Sequence, residues 1–557
     1  MSAGLLLFSC IPAPEVDLFQ VNPLTKYFPE SAAFLEMTDT VDCAAGTHVE
    51  FQFALRSFHG LSGVEISCPA FLKDEDAITD IRCGRVGYVG IGEPAGDVGH
   101  DALRSVSGLY PDPILTDGAF DVPAGQTTCL WVTAGVPADA PAGLYQTTVL
   151  VSGRCAGRRF RFRRPVCIRV WPVRMEQPSF QSVNWNFDFD EVLRQWNGGE
   201  PVTWGSELYW QYMADMAGAL REAYQTCTRV PIFGLVDMAR QDDGSYRFDF
   251  SRFDQTVRFY RDAGVLSILQ GGELGHRIEP TWVSPFGLFV PVGEQGEIET
   301  LPVEDPRTVA FYQAFMPALM AHLEENGWAD HYVQQVCDEP IDINAESYRS
   351  VIRFLKGLAP GLVVMEALQT TQVDGAVDVW VPQLDTWHNH YDFFRSRQEA
   401  GEKVWFYTCC FPRGEYPNRF IEQPLLKGRV LYWMAFKYGA EGHLHWGFNY
   451  WNSHPYRQTN NPFASVKLPG GDSWIVYPGY RRFERSIRFE AMRDGIEDLT
   501  LLQQLARKDP GRARALCDQV VTNWWVYVTD PDGFLSVRRD LLEALTQVEQ
   551  DQNKLSQ

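Results

Sequence analysis

Tyr332-Val-Gln-Gln-Val-Cys-Asp338-Glu339-Pro340 is a short β-type run that stops on two carboxylates and a proline. Proline cannot donate to a ladder, so strand pairing is expected to end here. The two acids would then stand at the carboxyl end of a strand, where parallel α/β folds gather ligands and chemistry. Neighbouring carboxyls repel, so one of the pair is expected to hold a proton near neutral pH. A protonated acid beside an ionised one suits glycoside cleavage. The competing reading makes Asp338 or Glu339 a simple cap for the helix that follows.

Working outward, the residues on either side alternate strand and helix patterns. Strand candidates are Ser182–Phe187, Thr228–Phe233, Val265–Gln270, Tyr332–Cys337, Leu362–Ala367, Val377–Val381, Lys403–Thr408 and Gly442–Gly447. Helical spacing marks Leu208–Tyr224, Phe253–Ala263, Thr308–Gly327, Glu346–Leu358, Tyr391–Ala400 and Pro424–Tyr438. This alternation predicts a (β/α)8 TIM-like barrel over residues 178–480. A doubly wound sheet is the alternative, but no glycine-rich phosphate turn follows the first strand. The stretch 271–307 is long for a βα loop. It carries Trp282, Phe286 and Phe289 and is expected to wall a cleft.

Residues 1–177 read as an N-terminal β-sandwich. Short apolar or alternating runs recur between turn signals: Val49–Leu55, Gly63–Ile66, Arg85–Ile91, Thr127–Ala134, Leu144–Val151 and Phe160–Val170. Residues 4–11 are expected to form the first strand. No Lys or Arg precedes that apolar run, and it is short for a signal peptide. A cytoplasmic protein is therefore expected, or a secreted one if the N-terminus has been trimmed. Arg158–Arg164 holds five arginines alternating with Phe160 and Phe162, a strand with one solvated basic face and no nucleic-acid motif. Residues 481–557 are charged and helical, as a C-terminal segment packed on the barrel.

Acidic residues outnumber basic ones, 71 to 49, for a formal charge of −22. That balance argues against nucleic acid or an anionic membrane as partner, and no apolar run reaches transmembrane length. The 12 cysteines follow no disulfide or zinc-ribbon spacing. Most of the 17 Trp, 22 Tyr and 35 Phe are core, and the remainder suit stacking on sugar rings.

On a barrel, polar strand ends converge on one rim. Those ends offer Asn184, Asn186 and Asp188; Glu273; Asp338 and Glu339; Gln383, Asp385, Trp387 and His388; and Tyr407 and Thr408. The last strand adds His443, His445 and Trp446, with Asn449, Tyr450 and Trp451 beyond it. Acids and amides bond sugar hydroxyls, and aromatics stack on ring faces. His388-Asn-His390 and His443-Leu-His445 have spacing for zinc on a strand, but no HExxH or third ligand accompanies them. Histidines satisfied in the core or bonding a sugar are the favoured reading, so no metal or other cofactor is expected. Cys337 reads as a small core residue.

These residues also carry a resemblance. Val336-Cys-Asp338-Glu339-Pro340 resembles the Asp-Glu segment of glycoside hydrolase family 123. Leu24-Thr-Lys26-Tyr-Phe-Pro29 with Val49-Glu-Phe-Gln52 is similar to that family's N-terminal sandwich. Tyr407-Thr-Cys409, Tyr416-Pro-Asn418-Arg419-Phe420, Arg429–Trp433 and Gly442–Trp451 resemble its late barrel. Tyr477-Pro478 with Ser486–Asp498 resembles the signature after the barrel. The resemblance implies exo-acting β-N-acetylgalactosaminidase chemistry with retention, in which the substrate's own 2-acetamido oxygen attacks the anomeric carbon. Glu339 would act as general acid and then base, and Asp338 would orient the acetamido N–H. Trp446, Asn449, Tyr450 and Trp451 are expected around the acetamido group, with Tyr407 and Trp387 behind them. His388, Asn186, Glu273 and Asp385 are further candidates for binding a glycoside or short oligosaccharide.

Two other readings stay open. A sugar without an acetamido group would need a second protein carboxylate, from Glu273, Asp385 or Glu441. A non-catalytic carbohydrate-binding protein on the same scaffold would need no acid pair.

Overall fold

The computed structural model describes residues 15–37, 40–292, 297–460 and 468–555. The strand expected at residues 4–11 lies outside the described residues. A five-stranded sheet runs in the order Val16–Val21, His48–Ser57, Thr127–Gly135, Asp80–Ile91, Gly108–Leu115. The main path of a second sheet runs Thr40–Ala45, Arg158–Arg174, Gly143–Cys155, Leu61–Ser67, Phe120–Val122. Each of the six strand stretches expected before residue 178 overlaps one of these strands.

Side-chain alternation builds the layers. In His48–Ser57, Phe53 and Leu55 point into the core shared with the second sheet, beside Val149, Val151, Val166 and Ile168. Ala54 points the other way, into a cluster with Trp131, Leu425, Ile487 and Ala491. The five-stranded sheet is thus buried on both faces, because one covers the second sheet and the other covers the helix Ile487–Lys508.

Charge is buried at that second junction. Arg488 forks onto Asp112 through two bonds of 2.8 Å. Arg493 reaches Glu50 at 2.5 Å, Glu490 at 2.6 Å and Asp494 at 3.1 Å. Arg429 holds Asp498 at 2.7 Å. Each of these ions is almost fully buried, so each depends on its partners to offset lost hydration.

After residue 178, every one of the eight expected strand stretches overlaps an observed strand. Gln181–Asn184 runs parallel to Gly442–His445, which also pairs with Phe406–Tyr407. Cys227–Val230 pairs with Ile268–Gly271, and that with Tyr332–Gln334. Gln334 bridges to Val364, next to Met365–Leu368. That strand pairs with Val379–Pro382, which pairs with Lys403–Val404. The Thr226 N–H donates to the Ser182 carbonyl at 3.1 Å, joining the first strand to the second. One apolar cluster takes a side chain from each: Val183, Cys227, Ile268, Val333, Ala367, Val381, Tyr407 and Leu444. Helices lie between, including Glu207–Glu222, Ser251–Asp262, Pro306–Glu325 and Ala345–Leu358. The 271–307 stretch has secondary structure of its own: Gly275–Arg277, Phe286–Val292 and Glu297–Leu301 form a small antiparallel sheet.

One expected strand is shorter than its sequence pattern. Tyr332–Cys337 pairs only over Tyr332–Gln334. Pro340 is not what stops it. The N–H groups of Val336 and Cys337 turn instead to the carboxylate of Glu366, at 3.2 and 2.9 Å. The Val336 carbonyl accepts from Leu274 and Gly275.

Candidate active site

The chain leaves the ladder at Gln335 and turns sharply at Glu339, whose φ is +48°. A non-glycine residue in the left-handed region costs about 1–3 kcal/mol, and the position before a proline prefers extended backbone. Two contacts hold the turn. Glu366 takes the amides just upstream. Arg277, from the small sheet, donates to the carbonyls of Asp338 and Glu339 at 3.0 and 2.8 Å. Its guanidinium lies 3.8 Å over the Trp282 ring and bonds the Trp282 carbonyl.

Both acid side chains are half-buried. Glu339 Oε1 accepts from the Tyr407 hydroxyl and from Gln369 Nε2 at 3.2 Å. Tyr407 also accepts from Gln369 at 3.2 Å and from Gln383 at 3.0 Å. With its oxygen taken by two amides, the tyrosine proton points to Glu339. Both donors converge on Oε1, which leaves Oε2 to carry a proton outward.

Burial raises the carboxyl pKa of Glu339, opposed by the bonds from Tyr407 and Gln369. Burial raises that of Asp338 well above the usual range, helped by the charges of Glu339 and Glu273 and opposed by Arg277 and Arg229. The pair therefore favours a shared proton near neutral pH. Glu273 meets Arg229 at 3.4 Å, and Arg229 sits 4.8 Å over the Trp185 ring.

The other expected site residues divide. Tyr407 and Trp446 join Trp185 and Phe187 in the apolar cluster at the carboxyl ends of the strands. The Trp446 indole donates to Asp472 at 3.1 Å, and its ring lies 5.6 Å from that of Tyr450. Tyr450 meets the edge of Phe187 at 4.8 Å. Asp385 adds charge near Glu339 and is itself raised by burial. Asn186 donates to the Tyr260 hydroxyl at 2.7 Å.

His388 bonds Tyr416 at 2.8 Å and meets the edge of Trp525 at 4.6 Å. Three residues are placed away from any open surface. Trp387 is wholly buried among Phe406, Tyr438 and Trp524. Trp451 packs on Phe483 and bonds the Val476 carbonyl. Asn449 is buried as a clamp on the Phe187 backbone, accepting its N–H and donating to its carbonyl. In each case the aromatic or amide is used to seat a neighbouring segment.

His443 stacks on Phe406 at 4.6 Å, and burial pulls its pKa down to about 3. His445 Nδ1 accepts from the Gly447 N–H at 3.0 Å. Among the described residues no group of three or more His, Cys, Asp or Glu side chains is arranged to hold a metal ion.

Glu366 and Arg277 were not singled out as site residues from the sequence. A lone acid inside Val363-Val-Met-Glu366-Ala-Leu368 is the signal for the first. Arg277 sits in a loop-like stretch where no periodicity marks it.

The family model for the glycoside hydrolase 123 catalytic domain matches residues 210–505, and that for the glycoside hydrolase 123 N-terminal domain matches 25–153. Among solved structures, a family 123 glycoside hydrolase from Clostridium perfringens, studied for glycolipid glycan hydrolysis, superposes with a TM-score of 0.76. It covers 97% of this chain and 99% of that one, at 15% identity. An endo-beta-1,4-mannanase from Thermotoga petrophila gives a TM-score of 0.35 over 58% of this chain and 77% of its own, at 11% identity. No curated protein matches the chain. With the catalytic-domain model matching more than half of the chain, the acid pair included, the chain belongs to glycoside hydrolase family 123 and is a glycosidase.

Proposed function

We propose that this glycosidase removes a β-linked 2-acetamido sugar, of the N-acetylgalactosaminide type, with retention and with the substrate's acetamido oxygen as nucleophile. One observation carries the reading: Glu339 has both donors on Oε1, beside a second carboxyl with which it can share a proton. Glu339 delivers its Oε2 proton to the leaving oxygen. When the pair's proton sits on Glu339, the Asp338 carboxylate accepts the acetamido N–H and sharpens its carbonyl oxygen. Water then opens the oxazolinium, with Glu339 as base. Trp446 and Tyr450 supply aromatic surface for the sugar.

The scaffold for this reading is a (β/α)8 barrel over residues 178–480, an N-terminal β-sandwich over 1–177 and a packed helical segment over 481–557. The run of parallel pairings and their common interior cluster support the barrel. The described cysteines are all unpaired, which supports a reducing compartment.

An aryl 2-acetamido-β-galactoside tests the proposal. Glu339→Gln and Asp338→Asn should each lose more than about a hundredfold in kcat, and a thiazoline mimic of the intermediate should inhibit. Turnover of a plain β-galactoside with none of the acetamido sugar would move the chemistry to two protein carboxylates. Full activity of Glu339→Gln would remove the assignment altogether.

A further inference from the structure

The arginine-rich hairpin takes no part in the site described above. The strand Arg158–Arg174 carries seven arginines and no acid, in a chain whose formal charge is −22. Arg159, Arg161 and Arg163 are exposed, one every second residue, which spaces them by about 6.6–6.8 Å along the strand. Arg154 stands directly opposite Arg159 in the ladder, a like-charge pairing that destabilises a sheet. Among the described residues, no carboxylate lies within ion-pair distance of Arg159, Arg161 or Arg163.

These side chains are not spread over a flat wall. Arg154, Arg159 and Arg161 line a groove of about 1140 Å³, together with Arg85, and among the described residues Glu65 is the only carboxylate lining it. Ser62, Ser67, Thr116 and Ser152 add hydroxyls. Arg85 is neutralised by Asp117 at 3.1 Å, so the uncompensated charge lining the groove lies on Arg159 and Arg161.

We propose that this groove docks a sulfated glycan chain. Guanidinium groups bind sulfate and carboxylate through paired hydrogen bonds, and the hydroxyls match sugar hydroxyls. A concave, hydroxyl-lined groove suits a thin polyanion better than a membrane plane. Bases would need open aromatic faces; of the two phenylalanines lining the groove, Phe160 is buried and Arg85 lies 5.0 Å over the ring of Phe120. The inference is independent of which sugar the barrel cleaves. It gives the chain a second carbohydrate contact, on the N-terminal sheets.

The probe is immobilised chondroitin sulfate, with the full chain in solution. Wild type should bind at low ionic strength and be released by added salt. Arg159→Ala/Arg161→Ala should weaken binding at least tenfold, while turnover of the aryl glycoside stays unchanged because these residues lie outside the barrel site. Hyaluronan, which has carboxylates but no sulfate, should bind more weakly. No retention of wild type at low salt would overturn the proposal. So would equal retention of the double variant. Stronger binding to phosphatidylserine vesicles or to an oligothymidine than to chondroitin sulfate would also overturn it, by assigning the groove to another partner.

Discussion

Replacing Glu366 tests the claim that the acid turn is held from below. Its Oε2 accepts from the Val336 and Cys337 amides and from the Tyr348 hydroxyl at 3.0 Å, all in the buried interior. Burial pushes its carboxyl pKa well up, against the Cys337 amide, which favours the charged form. Glu366→Leu keeps most of the volume and removes the acceptor. A buried donor left bare costs about 1–3 kcal/mol, so three cost roughly 3–9, with relaxation bringing the sum to the lower half. Urea unfolding followed by circular dichroism should show that loss. Turnover should fall with it, because the amides no longer fix where Glu339 points. Glu366→Gln retains a carbonyl for the three donors and should recover most of the stability. A Glu366→Leu protein within about 1 kcal/mol of wild type, with normal kcat, would show that the turn holds itself, and the reasoning would be wrong.

Other outcomes follow from the same contacts. Tyr407→Phe removes a donor that holds Glu339 down against burial. Its kcat should fall about ten- to a hundredfold, and the alkaline limb of the pH–rate profile should move to higher pH, since a weaker acid keeps its proton longer. A limb that stays put would disconnect Tyr407 from the acid. Arg277→Lys loses the fork that bonds two carbonyls and should lower kcat more than it raises KM; steady-state kinetics would expose the reverse split. Asp472 is wholly buried, and its pKa is pushed up to about 7 from 3.8. Folded protein therefore holds this proton over a range where unfolded chain has lost it. Its contribution to stability is complete below about pH 4 and disappears as pH rises through about 7, a span of at most ~4 kcal/mol. Asp472→Asn should flatten that part of the stability–pH curve; an unchanged slope between about pH 4 and 7 would refute it.

Much of the fold was legible because its signals are periodic. Helical spacing in Leu208–Tyr224 and Glu346–Leu358 located two helices to within a residue or two. Alternation in Val49–Leu55 found a strand whose two faces meet different partners. The Asp338–Glu339 pair was visible because a proline and a β-run framed it. What escaped was decided at long range. Trp387 and Trp451 look like sugar platforms at strand ends, yet each ring is enclosed by elements far along the chain, such as Trp524 and Phe483. Asn449 looks like a hydroxyl ligand and instead clamps Phe187, 262 positions away. The edge strand Val16–Val21 and the strand Phe286–Val292 of the small sheet around Arg277 do not alternate cleanly between buried and exposed positions, so period-two patterning does not mark them.

The charges shared by Asp112, Glu50 and the helix Ile487–Lys508 make the N-terminal sheets a poor candidate for exchange between enzymes. A foreign sandwich grafted at this seam would bring its own outer face but no matching carboxylates, stranding Arg488 at a cost of about 3–5 kcal/mol and leaving Arg493 only the acids of its own helix. Shuffling these pieces would require recoding both sides together, so the late helix and the early strands travel as one inherited unit.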